Sequence, residues 1–418
     1  MSIQCIAVES LFALLNRESF QSNHKKFPTD FLRNRIFSFA TVVGMLLRAV
    51  KKSLQIDCNF LGAHMKEEPG SKQAFSQARA KILPSGFQEM HEDGLRVHYK
   101  EAPKGGLWRG FRVIGCDGST LRLPNSKELE AKFGLYPGKE EGVKYPVMAR
   151  ISEFIDMSTK LCLSGCISPY KTSEDEMAAK QLPEVVGKMR RLGQSKMLYV
   201  YDRGYPSEEF IDQHIQLKVD FVFRLPKDFN KAITEISKWE DSEGFIIREG
   251  WPPIRVVKVP LSTGETELLL TTLTDKGYTI KDLSEVYQGR WTSMEEGYKK
   301  QKVTMQMENF SGKTVVAIEQ EYWSALVVSN LLEMGCIPIE GYWIPGALPK
   351  RHVNRSVLFG SMRDATLEVI FGLISLKEYD ERFKKIAMRG MLKVRPNRNY
   401  SRDGVDKPKR HHVYRRSC

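Results

Sequence analysis

The sequence predicts an α/β fold: a mixed β-sheet with flanking helices, interrupted by a β-rich insertion and bounded by a helical N-terminal region and a basic tail. Two apolar runs rich in β-forming residues support the sheet, because each ends in an aspartate, at Asp117 and at Asp202. Such a run followed by Asp and Gly is typical of a strand that ends at the edge of a sheet, where the chain turns. The spacing of apolar residues also changes from helical to strand-like at about Phe111.

Length and composition are those of a globular protein with two or three domains, or one large domain with additions. The chain has 418 residues, 41% of them hydrophobic. Its seven cysteines are scattered, without a CxxC pair or histidines at zinc-site spacing, which fits a reducing cytoplasm. The longest uncharged apolar run, residues 36–47, is shorter than the roughly 20 residues that span a membrane. We therefore expect no membrane partner.

Residues 1–105 are predicted to form a helical N-terminal region. Apolar residues have helical spacing over 31–52, residues 67–70 interrupt the pattern, and Ser71 is the expected N-cap of a basic helix that ends near Ile82. A helix, a tight turn and a basic helix suit a protein element that enters a DNA groove. A solvated amphipathic helix has the same pattern.

Residues 106–225 and 276–345 are predicted to form one domain around the sheet. Its first part has, in chain order, three strands, a helix, a strand, a helix and a strand. The first of these helices is expected to break at Pro183, because proline lacks the N–H that a helix interior uses. This order of elements is that of a ribonuclease H-like fold, a mixed sheet with helices on its faces.

Residues 226–275 are predicted to be the β-rich insertion. Three short strands separated by Trp251-Pro252-Pro253 and Ser262-Thr263-Gly264 have the spacing of a small β-meander. Helices are predicted over 281–302 and 318–334. Residues 346–418 are predicted to form C-terminal helices, chiefly one over 361–388, and the basic tail.

Most of the excess of positive over negative charge lies in the tail. From Lys384 to the end there are twelve Lys or Arg and two Asp, which accounts for +10 of the net charge of +13. Aromatic and small polar residues are interleaved with these charges. The cluster predicts a segment that binds a polyanion, since counterion release favours such binding. A solvated tail is the alternative.

The predicted helix over 281–302 contains a third group of candidate residues. In a helix Glu295, Lys299 and Lys302 would share one face, which presents a carboxylate followed by two ammonium groups. Carboxylates from Asp117, Asp202 and Glu295 can bind two hard divalent cations. Two such ions activate a water or a 3′-hydroxyl for in-line displacement at phosphorus. We expect two Mg²⁺ ions, with Mn²⁺ as a substitute.

These segments resemble the DDE transposases of bacterial insertion sequences, in the insertion-sequence-four family. The resemblance covers about half of the chain, from about Phe111 to Thr314. It rests on Asp117-Gly118-Ser119, on Asp202-Arg203-Gly204-Tyr205, and on Tyr287, Arg290, Glu295 and Lys302, which resemble the family's Tyr-x2-Arg-x3-Glu-x6-Lys signature. The family also has a ribonuclease H-like catalytic domain with a β-rich insertion between the second Asp and the Glu.

The resemblance implies roles for individual residues. Asp117, Asp202 and Glu295 would be the catalytic metal ligands. The phosphates of a transposon end near the cleavage point would be contacted by Tyr287, Arg290 and Lys302. Lys299, Arg203 and Tyr205 are further candidates for DNA contact, although Arg203 and Tyr205 equally suit the role of fixing the turn after the strand.

The sequence departs from the family signature in two places. Four residues separate Arg290 from Glu295 instead of three, so either one residue is accommodated or Arg290 is displaced, and Glu296 competes for the ligand role. Some relatives place an aromatic residue on the insertion to stack on a flipped base. The corresponding stretch here has no Trp, and Trp239 or Trp251 are the remaining candidates.

The implied function is a DNA transposase that hydrolyses the phosphodiester at transposon ends and transfers the 3′-hydroxyl into target DNA. The implied partners are terminal inverted repeats, target DNA and a second subunit in a paired-end complex, in the cytoplasm of a prokaryote and associated with its nucleoid. A ribonuclease H-like nuclease or resolvase, or a domesticated DNA-binding remnant, are the alternatives. A phosphatase of the haloacid dehalogenase type would need a second Asp where the chain has Gly115.

Overall fold

The computed structural model describes residues 1–33, 35–48, 53–66, 68–138, 145–238, 240–261, 264–347 and 349–394. The side chains at positions 232, 291, 292 and 295 are not described. Three predictions therefore lie wholly or partly outside the described residues: the basic tail beyond residue 394, the candidate Trp239, and the side chain of Glu295.

One eight-stranded sheet forms the centre of the fold. Its strands are β1 (Arg112–Arg122), β2 (Met148–Asp156), β3 (Leu161–Pro169), β4 (Met197–Tyr201), β5 (Asp220–Leu225), β6 (Glu243–Ile246), β7 (Ile254–Pro260) and β8 (Thr266–Thr271). The order across the sheet is β3-β2-β1-β4-β5-β8-β7-β6. The first three strands are antiparallel, and β1, β4 and β5 run parallel. This mixed sheet confirms the predicted ribonuclease H-like fold class.

The prediction that β1 ends at Asp117 was wrong, because the strand continues to Arg122. β4 pairs with β1 only as far as Gly115, whereas β2 pairs with β1 up to Arg122 and supplies hydrogen-bond partners beyond the aspartate. Asp202, in contrast, directly follows the last residue of β4. Both aspartates therefore lie at the same end of the parallel β1–β4 pair.

The segment predicted as an insertion continues the main sheet. A short helix, α10 (Lys231–Lys238), precedes the expected meander of β6, β7 and β8, and β8 pairs antiparallel with β5. Successive residues of β8 are buried on opposite faces of the sheet: Leu269 packs on one side and Leu268 and Leu270 on the other. The meander therefore shares the core of the sheet.

One helix connects β3 to β4, and a second connects β4 to β5. They are α8 (Glu174–Arg191) and α9 (Glu208–Gln216). The predicted break at Pro183 does not occur, since α8 is continuous through it. Pro183 cannot donate to the carbonyl of Ala179, and the side-chain amide of Gln213 on α9 donates to that carbonyl instead, at 3.0 Å. A contact from another helix therefore satisfies the carbonyl that proline leaves without its usual partner.

A helical layer covers the sheet on the side of β3. Its N-terminal part comprises α1 (Ile3–Leu15), α2 (Glu18–His24), α3 (Phe39–Leu47), α4 (Leu54–Met65), α5 (Lys72–Arg79) and α6 (Ser85–Glu101), and α7 (Lys127–Phe133) lies between β1 and β2 in the chain. Ser71 caps α5, as predicted, by accepting from the backbone N–H of Ala74. The Ser side chain thereby satisfies one of the N–H groups that a helix start leaves without partners.

Two long helices follow β8. The first is α11 (Ile280–Lys299), which passes directly into a π-helical turn (Lys300–Thr304), and the second is α12 (Val315–Glu340). The prediction of one regular helix over 281–302 did not anticipate the π-helical turn. α12 has the length and composition of a membrane span, but 72% of its most apolar window is buried inside the protein. It packs against β3, α1, α3 and α6 and forms the core of the helical layer.

The C-terminal helices replace the single helix predicted over 361–388. They are α13 (Arg355–Met362), α14 (Ala365–Ile370) and α15 (Leu376–Arg389), with a small sheet of β9 (Arg351–Val353) and β10 (Met391–Lys393). The chain turns at Gly372, whose φ of 66° favours glycine. Ser375 and Glu378 then form a capping box that starts α15.

A buried arginine joins the N-terminal helices to α12. Arg79, at the end of α5, forms an ion pair of 3.1 Å with Glu321 and donates to Gln320 at 2.7 Å and to Ser311 at 2.6 Å. It is 4% exposed. Arg79 therefore belongs to the core, and it does not lie on the surface of α5 that was predicted to contact DNA.

Replacing Arg79 by Met should lower the free energy of unfolding by about 3 kcal/mol or more, because Glu321 would keep a buried charge without this partner. Lys72→Met on the exposed face of α5 is the matched control and should stay within about 0.5 kcal/mol of the wild type. Urea unfolding followed by circular dichroism measures both. Equal unfolding midpoints for the two variants would contradict the structural role of Arg79.

Candidate active site

Asp117 lies in the middle of β1, on the face covered by α11. One of its carboxylate oxygens is 3.7 Å from Nη1 of Arg290, and the hydroxyl of Tyr298 donates to its backbone carbonyl at 2.7 Å. Burial raises the pKa of Asp117 from 3.8 to about 6, and the Arg290 guanidinium only partly offsets that rise. Asp117 is therefore a carboxylate whose ionised form is disfavoured by its surroundings.

Asp202 has more hydrogen-bond donors around it than Asp117 has. The hydroxyl of Tyr287 donates to it at 2.9 Å, the backbone N–H of Arg203 at 2.8 Å, and Nη2 of Arg290 lies 3.4 Å away. Burial alone would raise the pKa of Asp202, but these donors and the Arg290 charge outweigh it and lower that pKa. The two aspartates thus have opposite pKa shifts, although both contact the same guanidinium.

Arg290 is the residue that joins the two aspartates. It is buried, at 7% exposure, and among the described side chains its Nε atom has no hydrogen-bond partner. The sequence left open whether the extra residue before Glu295 displaces Arg290. The structure places Arg290 at the aspartates, with Tyr287 one turn earlier on the same side of α11. Buried residues such as Leu283 and Val286 hold that helix against the sheet.

The two candidate glutamates lie on different sides of α11. Tyr298 marks the side that faces β1, and at 3.6 residues per turn Glu295 is about 60° from it around the helix axis, whereas Glu296 is about 160° away. Glu296 is exposed and forms an ion pair of 2.8 Å with Lys160. The backbone position therefore favours Glu295 over Glu296 as a neighbour of the aspartates.

The two candidate lysines are separated in the structure. Nζ of Lys302 donates to the hydroxyl of Ser119 at 2.6 Å and to the carbonyl of Thr120 at 2.5 Å, which places it beside β1 just beyond Asp117. Lys299 is exposed and lines a different cavity, together with Lys160 and Glu296. Glu295 and Lys299 both lie in α11, about 40° apart around its axis, whereas Lys302 lies in the π-helical turn. The role of Lys299 stays a prediction.

The two candidates after Asp202 also differ from each other. Arg203 is exposed, and its side chain is accessible to a ligand. Tyr205 is only 2% exposed and packs against Tyr201, with 5.5 Å between the ring centroids. Its burial fits the alternative role of fixing the turn after β4 and does not fit a DNA contact. Trp251, the remaining stacking candidate, is partly buried against the core, with Arg248 over its ring.

The sequence did not point to two further groups at the site. Arg224 on β5 lies 3.6 Å from Asp202 and forms an ion pair of 2.9 Å with Glu267 on β8. Glu174, the first residue of α8, lies close enough to Asp117 to contribute to its raised pKa. Gly118, the residue after Asp117, is the sequence signal for the close approach of Glu174 to β1. A Cβ at position 118 would lie 2.3 Å from the Glu174 carboxyl carbon.

The donor set suits hard divalent cations. Asp117 and Asp202 both contact one guanidinium, and carboxylate oxygens are preferred ligands of Mg²⁺. Among the described side chains, which exclude Glu295, no cluster of three metal-binding residues is found. The mixed sheet and the paired carboxylates define a ribonuclease H-like enzyme.

The family assignment follows from the sequence of this same region. The profile described as "Transposase DDE domain" matches residues 108–331, which is more than half of the chain. The chain therefore belongs to the DDE transposase family, whose members are DNA-cleaving and strand-transferring enzymes that generally use divalent metals. No curated protein matches it.

A solved structure of a transposase has a similar fold. The cryo-EM structure of a piggyBac transposase synaptic complex with hairpin DNA matches with a TM-score of 0.50 and 10% identity, over 96% of this chain and 88% of that one. This likeness concerns the fold alone. A Mos1 transposase paired-end complex with the left transposon end has 13% identity and a TM-score of 0.19, over 49% of this chain and 64% of that one. That TM-score is too low to support an argument.

The opposite pKa shifts predict opposite effects of two similar substitutions in metal-free protein. Asp117→Asn should raise the free energy of unfolding at pH 7.5 by about 1–3 kcal/mol, because it removes a carboxylate that is costly to ionise. Since the folded pKa is about 6 and the usual value is 3.8, this gain should fall as the pH drops through 6 and vanish near 4. Asp202→Asn should lower stability at pH 7.5, and that loss should diminish only below the usual pKa.

Thermal unfolding in EDTA across pH 4 to 8 checks both variants. A shift of the same sign for both at pH 7.5 would contradict the assigned pKa directions.

Proposed function

We propose that this chain is the transposase of a bacterial insertion sequence of the insertion-sequence-four type. In this proposal it hydrolyses the phosphodiester at each transposon end and joins the freed 3′-hydroxyl to target DNA. The observation that supports it best is the convergence of Asp117 and Asp202 on Arg290 at the end of the parallel strands, beneath the helix that contains the signature. The protein would act in the cytoplasm of a prokaryote, associated with the nucleoid.

Asp117, Asp202 and Glu295 are proposed to hold two Mg²⁺ ions, for which Mn²⁺ can substitute. When bound, such ions lower the pKa of an attacking hydroxyl or water and stabilise the leaving oxygen. The protein contributes the orientation of the ligands: Tyr287 and the backbone N–H of Arg203 fix the Asp202 carboxylate by hydrogen bonds. Tyr298 fixes the backbone of Asp117.

The phosphates of the DNA near the cleavage point are proposed to contact Arg290, Tyr287 and Lys302. Arg290 is suited to this role because its planar fork can bind a phosphate through two N–H groups. Lys302 is held against β1 beside Asp117. Arg203 is accessible for a further contact, whereas Lys299 lies farther round the helix.

A second DNA contact is proposed in the N-terminal region. A groove between residues 29–33 and 35–37 on one side and α5 on the other is lined by Arg33, Arg35, Gln77 and Lys81. The arginines are exposed, so their charges are available to a phosphate backbone. Because two transposon ends must be joined, we also propose that two subunits act in a paired-end complex that binds the terminal inverted repeats and target DNA.

We propose the following division of the chain. Residues 1–105 bind the transposon end, and residues 106–225 and 276–345 form the catalytic domain. The β-rich segment 226–275 lies between these two parts in the sequence and extends their sheet, and residues 346–418 supply the C-terminal helices and the basic tail.

Asp117→Asn, Asp202→Asn and Glu295→Gln should each abolish Mg²⁺-dependent cleavage of the DNA that flanks the coding region, because each removes an ionised ligand. DNA binding without metal should be retained. Glu296→Gln is the matched control, one residue away on the other side of α11, and should keep cleavage. Gel assays with labelled DNA and a plasmid target separate cleavage from strand transfer.

Wild-type cleavage by any of the first three variants would refute the catalytic assignment. Loss of cleavage in Glu296→Gln and not in Glu295→Gln would transfer the ligand role to Glu296. Cleavage by the wild-type protein without joining to the plasmid would favour a nuclease or resolvase.

The N-terminal groove predicts a change in the salt dependence of DNA binding. Arg33→Gln and Arg35→Gln should each reduce the slope of log K against log salt concentration by about 1, because each removes one phosphate contact. Lys238→Gln, at an exposed position on α10, is the control and should leave the slope unchanged. Fluorescence anisotropy at several salt concentrations measures the slopes, and unchanged slopes for both arginine variants would exclude the groove.

A further inference from the structure

Glu153 is a buried carboxylate directly opposite the catalytic candidate on β1. In the antiparallel pairing of β1 and β2, Glu153 is the partner of Asp117. Directly opposite residues point to the same face of a sheet, with Cβ atoms about 4.5–5.5 Å apart. Glu153 is 0% exposed. A carboxylate in such a position is costly unless other groups bind it.

Neutral groups bind this carboxylate. The side-chain amide of Gln301 donates to it at 2.8 Å, and the hydroxyl of Tyr322 lies 3.4 Å away. The charges of Lys300 and Lys302 also favour the ionised form of Glu153, but the Lys300 ammonium pairs with Glu333 and the Lys302 ammonium binds Ser119 and Thr120. Gly165 on β3 leaves room for Tyr322, since a Cβ there would lie 2.5 Å from its hydroxyl oxygen.

Gln301 belongs to the π-helical turn that follows α11. The turn is defined by a hydrogen bond of 2.9 Å from the backbone N–H of Met305 to the carbonyl of Lys300, five residues earlier. π-helical turns are rare and occur frequently at functional sites. A turn of this kind needs interactions from outside the helix to hold it, because its geometry is less favourable than that of an α-helix.

Three consecutive side chains of the turn bind three different elements. Lys300 forms an ion pair of 2.7 Å with Glu333 on α12, and Gln301 binds Glu153 on β2. Lys302 donates to the hydroxyl of Ser119 and the carbonyl of Thr120 on β1. In a regular α-helix three consecutive residues spread over about 200° around the axis. The wider turn has more residues per turn, which reduces this spread and directs the three side chains towards the sheet and α12.

We propose that Glu153 is a positioning residue for Lys302. By binding Gln301, in the middle of the three anchored residues, it fixes the π-helical turn and thereby holds the Lys302 ammonium against β1 beside Asp117. The link to catalysis rests on the proposed function, in which Lys302 contacts a phosphate near the cleavage point. The position of Lys302 itself does not depend on that function.

A directional hydrogen bond explains why this position has a carboxylate. An apolar side chain of similar size would fill the space without the cost of burying an acid, but it would not select one orientation of Gln301. Burial raises the pKa of Glu153 to about 7. The amide donor of Gln301 suits an acceptor oxygen in both the ionised and the neutral acid.

The test measures the accessibility of Lys302 in the full-length protein without DNA or metal. Acetic anhydride at limiting concentration acylates exposed lysines, and mass spectrometry of peptides gives the rate at each position. Glu153→Leu and Gln301→Leu should raise the acylation rate of Lys302 by about 3- to 10-fold, because one hydrogen bond that holds the turn is lost. Lys299 is exposed and lies in the same segment, so its rate is the internal control and should not change.

Two further variants separate positioning from simple stability. Glu153→Gln keeps an acceptor for Gln301, and the double variant Glu153→Gln with Gln301→Glu exchanges donor and acceptor. Both should return Lys302 to the wild-type acylation rate. If Glu153→Leu does not fold, Gln301→Leu still decides the matter. Wild-type protection of Lys302 in folded Gln301→Leu, or failure of the exchanged pair to restore protection, would overturn the proposal.

Cleavage of the flanking DNA in Mg²⁺ supplies the functional measurement. It should fall in the two Leu variants and recover in the exchanged pair. Unchanged cleavage in Leu variants whose Lys302 has become reactive would exclude a catalytic role for the positioning. An absence of cleavage in the wild-type protein would refute the proposed function, whereas the acylation rates would still decide whether Glu153 positions Lys302.

Discussion

The contact of one guanidinium with two carboxylates is the interaction around which this site is built. Two acids at the same end of a parallel strand pair repel each other in a partly buried environment, and Arg290 offsets that repulsion. Its position depends on α11 packing across the sheet and on the pairing of β1 with β4. The two aspartates differ in the cost of ionisation: Asp202 has several hydrogen-bond donors, which lower its pKa, whereas burial raises the pKa of Asp117. Such a site stores free energy that a bound cation can release.

The helix α12 connects this site to the rest of the chain. It lies against β3 on one side and against N-terminal and C-terminal helices on the other. Arg79 reaches it from α5, and Lys300 and Arg355 both reach Glu333 near its end. Ion pairs buried in this way are destabilising when one partner is lost, so they fix the relative positions of the elements they join. α12 thus joins the N-terminal helices to the sheet that contains the aspartates.

The sequence predicted the features that depend on interactions between residues close together in the chain. The order of strands, the position of Asp202 directly after a strand and the Ser71 cap each depend on a few neighbouring residues. The features that the sequence did not predict depend on distant partners. β1 continues beyond Asp117 because β2 pairs with it, and α8 continues through Pro183 because Gln213 comes from another helix. The meander extends the main sheet because β5 offers a free edge, which no pattern within residues 226–275 reveals.

The π-helical turn has a consequence for how this family is recognised. A signature that counts the residues between two positions assumes that each residue advances the helix by the same angle. Where the helix widens, as it does after Lys299, equal counts correspond to different directions, and unequal counts can correspond to the same direction. The count of residues between Glu295 and Lys302, which enters this turn, is therefore better judged by the side of the helix on which each residue lies. Comparisons of distant relatives would gain from aligning angular position in addition to sequence position.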